Sequence, residues 1–196
     1  MEMGPTGFPF ERLIGEIFEK QGYQVQVGQT LEGYCVTHEV DVIATGGKIQ
    51  NLMECKYSQE QGKNVSIQVP LYVRSRIDDI IRLRRERHEY QGFTFTGWVV
   101  TNTRFSPDSM QFGRCSGLKL LGWDYPEGAG LKELIQREGV YPVTLISQLN
   151  QKEKQALMEQ GLVSCSRLLA RKEVLETLGL NRKKLASVIR ELEEIG

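Results

Sequence analysis

The spacing of apolar residues along the first two thirds of the chain switches repeatedly between the period of a helix and that of a strand. Apolar residues three and four positions apart predict a first helix that begins at Phe8 and stops at Gly22. Alternation of polar and apolar residues then predicts a strand over residues 23–27, and residues 28–33 are predicted as a loop. Two longer strands follow over residues 35–44 and 48–57, and the two glycines between them indicate a hairpin.

The pattern beyond this hairpin alternates between helix and strand. A polar loop over residues 58–64 leads into a helical pattern over residues 66–89, and residues 93–101 form a largely apolar strand. Ser106 and Pro107 are typical of a helix start, and a short strand follows over residues 118–123. The order predicts an α/β fold with a mixed β-sheet flanked by helices.

Composition changes after this last strand, where residues 124–130 hold one proline and two glycines and indicate a linker. The rest is predicted as a small all-α domain, with residues 141–143 as the only alternative strand. The predicted helical segments are 131–138, 145–149, 151–160, 166–169, 173–178 and 182–195. Twice in this tail a helix leads through a Gly-Leu turn into a second helix. We therefore predict two domains, over residues 1–125 and 131–196.

Composition narrows the class of protein. Among 196 residues, 40% are hydrophobic and 26% charged, which suffices for a globular core. No apolar run approaches the roughly 18 residues of a membrane span, and residues 1–5 lack the pattern of an export signal. The four cysteines are scattered and only two histidines are present, so we expect no structural zinc, and free thiols in a cytoplasmic protein.

The formal net charge of zero gives no general argument for a nucleic-acid partner. Six arginines are nevertheless concentrated in residues 74–87. They are explained either by a solvated helix face, with Asp78 supporting Arg82, or by a surface that follows phosphates. The solvated face is the favoured interpretation of this segment alone, and Arg82 and Arg85 are the candidate DNA contacts within it.

The strongest chemical signal lies in the predicted hairpin. Glu54 and Lys56 are two residues apart on an apolar strand and therefore share a face, although charges on such a strand are costly without partners. Asp41 lies on the preceding strand, where its carboxylate is expected to reach the same ion as Glu54. Carboxylates are the usual ligands of Mg²⁺ or Mn²⁺. A lysine beside them can position or activate the attacking water, or stabilise charge on a phosphate undergoing hydrolysis. The plain alternative is a surface ion pair on a half-buried strand, since Glu-x-Lys triplets are frequent.

The first two thirds of the chain resemble the PD-(D/E)xK nuclease superfamily and, within it, the Mrr-like endonucleases with a restriction-endonuclease-like fold. The resemblance is carried by the first helix with its Glu11, by the segments 38–44 and 53–57, by Gln68, and by residues 97–106. One departure is that Val40 precedes Asp41, where the usual pattern has a proline.

This resemblance implies that Asp41 and Glu54 are metal ligands, helped by the backbone carbonyl of Cys55, and that Lys56 is the catalytic lysine. It also implies catalytic roles for Glu11, as a further metal ligand, and for Gln68 on the following helix. From the residues alone, three further acids or imidazoles stay under consideration. Glu16 competes with Glu11 as the acid that faces inward, Glu39 is a spare carboxylate, and His38 is expected on the opposite face from Asp41.

The tail resembles a tandem helix-hairpin-helix module, in which hairpin amides contact the DNA backbone. Both turns, at Gly161 and Gly179, lack the second glycine of the usual pattern. Three cations beside the second turn, Arg182, Lys183 and Lys184, are candidate phosphate ligands. A helical bundle used for packing or dimerisation is the alternative.

Together these features predict a metal-dependent DNA endonuclease. The alternatives are a nucleic-acid-binding protein that keeps the fold without cutting, a protein-interaction or dimerisation module, and a nuclease for RNA or branched DNA. Cutting both strands often requires two active sites, so a homodimer is a further hypothesis. No membrane association is expected.

Overall fold

A computed structural model describes residue 3, residues 7–60 and residues 62–195 of the chain. Most of residues 1–5, on which the expectation of no export signal depends, lie outside the described residues. Within the described part, no helix combines the length and apolarity needed to traverse a bilayer.

The chain folds into a mixed sheet with helices on both faces, followed by a helical tail. The strands are β1 (Gln24–Glu32), β2 (Thr37–Gly46), β3 (Ile49–Lys56), β4 (Asn64–Val65), β5 (Thr94–Thr101), β6 (Arg104–Phe105) and β7 (Lys119–Leu121). The helices are α1 (Phe8–Lys20), α2 (Gln68–Glu86), α3 (Pro107–Ser116), α4 (Leu131–Glu138), α5 (Gln151–Glu159), α6 (Cys165–Ala170) and α7 (Arg182–Ile195). Ser106 caps α3 as predicted, by accepting a hydrogen bond from the Ser109 amide.

The main sheet has the order β1-β2-β3-β5-β7. Strands β1, β2 and β3 are antiparallel, whereas β3, β5 and β7 run parallel. Helix α2 packs against one face through Val73, Ile77 and Ile80, and α1 packs against the other through its own apolar stripe. The predicted α/β fold with a mixed, helix-flanked sheet is therefore confirmed.

Three local predictions are wrong. Residues 28–32 are not a loop, because they continue β1 and pair with β2 as far as Glu32 with Thr37. Residues 145–149 are not a helix, since only a 3₁₀ helix over Val143–Leu145 forms there. Residues 173–178 are helical as predicted, although as part of a 3₁₀ helix over Lys172–Leu178. Asp78 pairs with Arg74 at 2.5 Å rather than with Arg82.

The helical tail packs directly on α1. One hydrophobic cluster runs without a break from α1 into α4, α6 and α7, with Leu131, Leu168 and Val188 fully buried. At the edge of this contact, Arg167 of α6 lies 2.9 Å from the carboxylate of Glu16 on α1. Helix α1 is therefore held between the sheet and the tail, and this fixes the position of the acid in its first turn.

Candidate active site

The candidate site lies where β2 and β3 separate. Their pairing ends at Val42 and Met53, while β3 continues along β5 to Lys56. Beyond that point the amide of Cys55 donates a 2.6 Å hydrogen bond to Oδ2 of Asp41. The Asp41 side chain thus connects the two strands where their backbones no longer do.

The alternation of side chains breaks at Asp41. Val40 and Ile43 both belong to the cluster under α2, whereas Val42 belongs to the cluster under α1. Opposite Asp41 on β1 is Gly28, whose φ of +63° is open to glycine at little cost. The two strands pair on either side of this position but not at it. This local irregularity is the kind that re-aims a side chain beside an active site.

Glu54 is buried and held by two cations. Its Oε1 accepts a hydrogen bond from Nζ of Lys56 at 2.7 Å, as expected for side chains on one face of a strand. Its Oε2 accepts from Nη1 of Arg76 on α2, also at 2.7 Å. Arg76 donates in addition to the backbone carbonyl of Glu39. Each oxygen of this carboxylate therefore accepts a hydrogen bond from a cation of the protein.

Three further acids, Glu11, Glu39 and Asp41, lie close enough to interact electrostatically with Glu54 and Lys56 or with each other. Burial, followed by the negative charges of Asp41, Glu39 and Glu54, raises the pKa of Glu11 to about 7 against the opposing effect of Lys56. Burial and the charge of Glu54 raise the pKa of Asp41 to about 6, although the Cys55 amide and the nearby cations oppose this. The four carboxylates thus produce a negative potential that Lys56 and Arg76 only partly offset.

The donor chemistry fits a hard divalent cation, because carboxylate oxygens are the ligands that Mg²⁺ and Mn²⁺ prefer. The side chains do not form a complete metal-coordination site in their present positions. Within the described ranges, no three His, Cys, Asp or Glu side chains are close enough to hold an ion as they stand. Asp41, Glu11 and Glu54 would be the carboxylate donors, and each oxygen of Glu54 already accepts one hydrogen bond from a cation.

The other predicted residues take varied places. Gln68 is exposed at the first residue of α2, and no hydrogen bond links its side chain to another described residue. Cys55 is buried, and its carbonyl as a metal ligand stays a prediction. His38 lies 2.8 Å from Asp79 on α2, away from Asp41. Of the two competing acids of α1, Glu11 faces the site, whereas Glu16 faces the tail.

The residues predicted to contact DNA differ in whether their charges are exposed or already paired. Arg82, Arg85, Arg182 and Lys183 are exposed. Lys184 is not available in the same sense, because its Nζ lies 2.7 Å from both carboxylate oxygens of Glu153.

The two turns of the tail differ in their surroundings. The first is packed inside the protein, where the carbonyl of Val163 accepts from Val143 and a Cβ on Gly161 would lie 3.1 Å from Arg12. The second turn, at Gly179, is exposed and leads into α7, whose first turn is capped by Asn181.

Sequence reasoning missed Arg76. It was one of six arginines in α2 and the turn after it, and nothing in the local pattern separates it from its neighbours. Arg76 adjoins the buried Ile77, but Arg74 and Arg85 also lie next to buried positions of α2, so this adjacency does not single it out. Its pairing with Glu54 follows only from the way α2 crosses β3.

Two family models match the chain, one over the α/β part and one over the tail. The restriction endonuclease family model Mrr_cat matches residues 4–127, and a model described as AF1548-like, C-terminal matches residues 141–196. An uncharacterized protein of Archaeoglobus fulgidus is 31% identical over 183 residues, which is 93% of this chain and 99% of that protein.

Solved structures are also similar. The crystal structure of a protein of unknown function, AF1548, has a TM-score of 0.76 and 28% identity, and the match covers 97% of this chain and 98% of that one. The MspJI restriction endonuclease in complex with a 27-mer oligonucleotide is 16% identical, with a TM-score of 0.34 over 59% of this chain and 25% of that one. The second likeness is too distant to support an inference about function.

Proposed function

Because this chain belongs to the Mrr_cat restriction endonuclease family, we propose that it is a metal-dependent DNA endonuclease that hydrolyses phosphodiester bonds at Asp41, Glu54 and Lys56. The observation that carries the proposal is the hydrogen bond from the Cys55 amide to Asp41. It fastens the acid of β2 beside the Glu54 and Lys56 pair of β3. A surface ion pair on a strand would need no such second acid beside it.

Each side chain has a role in this proposal. Asp41, Glu54 and Glu11, with the carbonyl of Cys55, would hold Mg²⁺ or Mn²⁺, which supplies Lewis acidity at the scissile phosphate and lowers the pKa of a bound water. Lys56 has the position to donate to a non-bridging phosphate oxygen as negative charge develops there. Arg76 offers a second donor to the same phosphate once it leaves Glu54. Gln68, at the start of α2, would act from the rim of the site.

DNA as the substrate is part of the proposal. Arg82 and Arg85 on α2 and Arg182 and Lys183 at the second turn of the tail are exposed cations that fit phosphate contacts. The exposed second turn is the part of the tail that would act as a helix-hairpin-helix element, and a homodimer would supply a second active site. A reducing cytoplasm fits the four cysteines, none of which forms a disulfide.

The test is cleavage of supercoiled plasmid with Mg²⁺ or Mn²⁺ by the wild type, Lys56→Met, Glu54→Gln and a control, Lys119→Met, which removes an exposed lysine of β7. We expect nicking that requires metal, a loss of about 100-fold or more in the two site variants, and full activity in the control. Equal activity in all variants would assign the cleavage to a contaminant or to another site.

One observation favours a second candidate function. Both oxygens of Glu54 are engaged by cations of the protein itself, which is compatible with a protein that binds nucleic acid without cutting it. Isothermal titration with Mn²⁺ separates the two functions, because only the endonuclease requires metal binding that Asp41→Asn weakens. Absence of cleavage together with retained gel retardation of DNA would favour the binding function, and absence of both would favour an interaction module.

A further inference from the structure

Exposed side chains of Tyr34, Val36 and Tyr72 lie around one surface beside the candidate site. Tyr34 and Val36, on the turn between β1 and β2, are 44% and 60% exposed, and Leu71 and Tyr72 of α2 are 47% and 60% exposed. Other large hydrophobic side chains exposed in the described chain are Phe8, Ile49 and Leu145, which are spread over different elements. We call Tyr34, Val36 and Tyr72 the tyrosine surface.

The turn that carries Tyr34 and Val36 is held rigidly against α2. Asp79 accepts hydrogen bonds from the amides of Cys35 and Val36 at 2.9 and 3.3 Å, and its own carbonyl accepts from the Tyr34 amide at 3.0 Å. A Cβ at Gly33 would lie 2.1 Å from Oδ2 of Asp79, so the turn fits closely. The exposed side chains are therefore presented to solvent by a fixed backbone and do not fold back onto the core.

Two arginines complete this surface. The guanidinium of Arg82 lies 3.6 Å from the ring centroid of Tyr34, and that of Arg76 lies 5.2 Å from the ring centroid of Tyr72. Of the described carboxylates, none forms a salt bridge with Arg82, whose charge stays available to an anion. Tyrosine rings and guanidinium planes both stack on nucleobases, and the guanidinium also pairs with phosphate.

The surface is continuous with the candidate site. An open cleft of about 450 Å³ is lined by Val36, Tyr72, Arg76 and Arg82, among others. Arg76 forms part of its wall and at the same time reaches Glu54. A group bound in this cleft is thus one side chain away from the acids at which the phosphodiester would be cut.

We propose that the tyrosine surface binds an unpaired nucleotide of the substrate, with its base stacked on Tyr72 or Tyr34 and its phosphate on Arg82. The position of this nucleotide next to the cut rests on the proposed endonuclease function. Bases within a duplex are already stacked on each other, so exposed rings have little to offer them, whereas an unpaired base has a free face. The substrate class is accordingly DNA with unpaired nucleotides beside the scissile bond.

The experiment measures binding without cleavage. Fluorescence anisotropy of a labelled oligothymidine, and of a duplex of equal length, is followed in EDTA at one fixed salt concentration. Tyr72→Ala should weaken oligothymidine binding about ten-fold, whereas Tyr72→Phe should retain it, because the ring and not the hydroxyl makes the contact. Duplex binding should change about two-fold or less. Leu145→Ala is the matched control, since it truncates an exposed apolar residue far from α2 and should bind as the wild type does.

The outcomes separate this proposal from the endonuclease. Metal-dependent plasmid cleavage together with unchanged oligothymidine binding in Tyr72→Ala would overturn the stacking proposal and leave the endonuclease intact. Oligothymidine binding that requires an aromatic residue at position 72, in a protein that does not cut, would support the surface and refute the endonuclease. Absence of oligothymidine binding in the wild type would overturn the proposal and favour a protein partner. If Tyr72→Ala fails to fold, Tyr34→Ala takes its place with the same expected effect.

Discussion

Arg76 reaches from α2 to Glu54 on β3, where its Nη1 lies 2.7 Å from Oε2 of the carboxylate. Their side chains are only 14% and 10% exposed, so this ion pair is largely withdrawn from water. Lys56, which holds the other oxygen, is 41% exposed. Arg76 is therefore the principal compensation for a buried charge, and its positive charge lies beside an oxygen that would bind a metal ion.

Removal of Arg76 should destabilise the metal-free protein. We expect Arg76→Met to lower the free energy of unfolding in urea by about 2 kcal/mol, because the buried carboxylate of Glu54 loses one of two partners. Adding Glu54→Gln to this variant should recover part of the loss, since the uncompensated charge is gone. Strictly additive effects of the two substitutions would show that the residues are not coupled. Isothermal titration should also find tighter Mn²⁺ binding in Arg76→Met.

Glu11→Gln should stabilise the metal-free protein at alkaline pH. The pKa of Glu11 is raised from 4.5 to about 7 by burial and by Asp41, Glu39 and Glu54, so between these values the folded state binds more protons than the unfolded state. Wild-type stability therefore falls as pH rises through this interval. The gain in the variant should be on the order of 1 kcal/mol at pH near 8, because solvent screens a half-buried group, and should vanish below pH of about 4.5.

The control for this prediction is Glu127→Gln, which removes an exposed acid. It should show no such pH-dependent gain. A Glu11→Gln variant that is less stable than the wild type at alkaline pH would contradict the electrostatic picture. Addition of Mg²⁺ should then stabilise the wild type more than Glu11→Gln, because a cation relieves the repulsion among these acids.

Asp79→Asn should loosen the turn that presents Tyr34. The hydrogen bond from His38, then those from the amides of Cys35 and Val36, lower the pKa of Asp79 to about 2. Because the pKa of Asp79 is lower in the folded protein than its unfolded value of about 3.9, its carboxylate stabilises the folded state at pH above about 3.9. This contribution is lost as the pH falls through about 2. The variant should have a lower Tm than the wild type at neutral pH, and the difference should shrink on acidification.

The neighbouring Asp78→Asn is the control, because Asp78 pairs with Arg74 on the exposed side of α2 and should affect Tm little. Asp79→Asn should in addition weaken oligothymidine binding, since Tyr34 depends on the turn. Equal Tm losses in the two variants would mean that the turn is held by other contacts.

Arg167→Leu should weaken the attachment of the tail to α1. The Glu16 side chain is only 7% exposed, and burial raises its pKa, while Ser164 and Arg167 lower it. Without Arg167 the buried carboxylate loses its cation, and we expect a cost of about 2 kcal/mol at pH near 8. Because burial raises the pKa of Glu16, this cost should become smaller as the pH is lowered. Arg171→Leu, at an exposed position that pairs within the tail, is the control.

Addition of Glu16→Gln to Arg167→Leu should restore most of the lost stability. Because one core cluster joins α1 to the tail, denaturation should remain a single transition when followed by far-ultraviolet circular dichroism and by tryptophan fluorescence. Two separate transitions in the wild type would show that the nuclease part and the tail unfold independently.

The sequence by itself determined the order of the main helices and strands and the three central residues of the candidate site. Apolar spacing is a local property, so the bounds of α4 and α7, and the cap at Ser106, could be predicted to the residue. The Glu54 and Lys56 pair could be predicted for the same reason, because strand alternation alone puts both side chains on one face. The hydrogen bond between them agrees with that reasoning.

Only the tertiary structure decided what these residues contact. Residues 28–32 look like a loop in isolation and become strand because β2 offers them a pairing partner. Arg76 and Lys184 carry the same charge as their neighbours, and the partners that distinguish them, Glu54 and Glu153, are 22 and 31 positions away. Ion pairs between elements depend on how helices cross the sheet and each other, which no local pattern encodes. The residue types of the candidate site can therefore be predicted from the sequence, whereas the ion pairs that compensate its charges depend on how the elements pack.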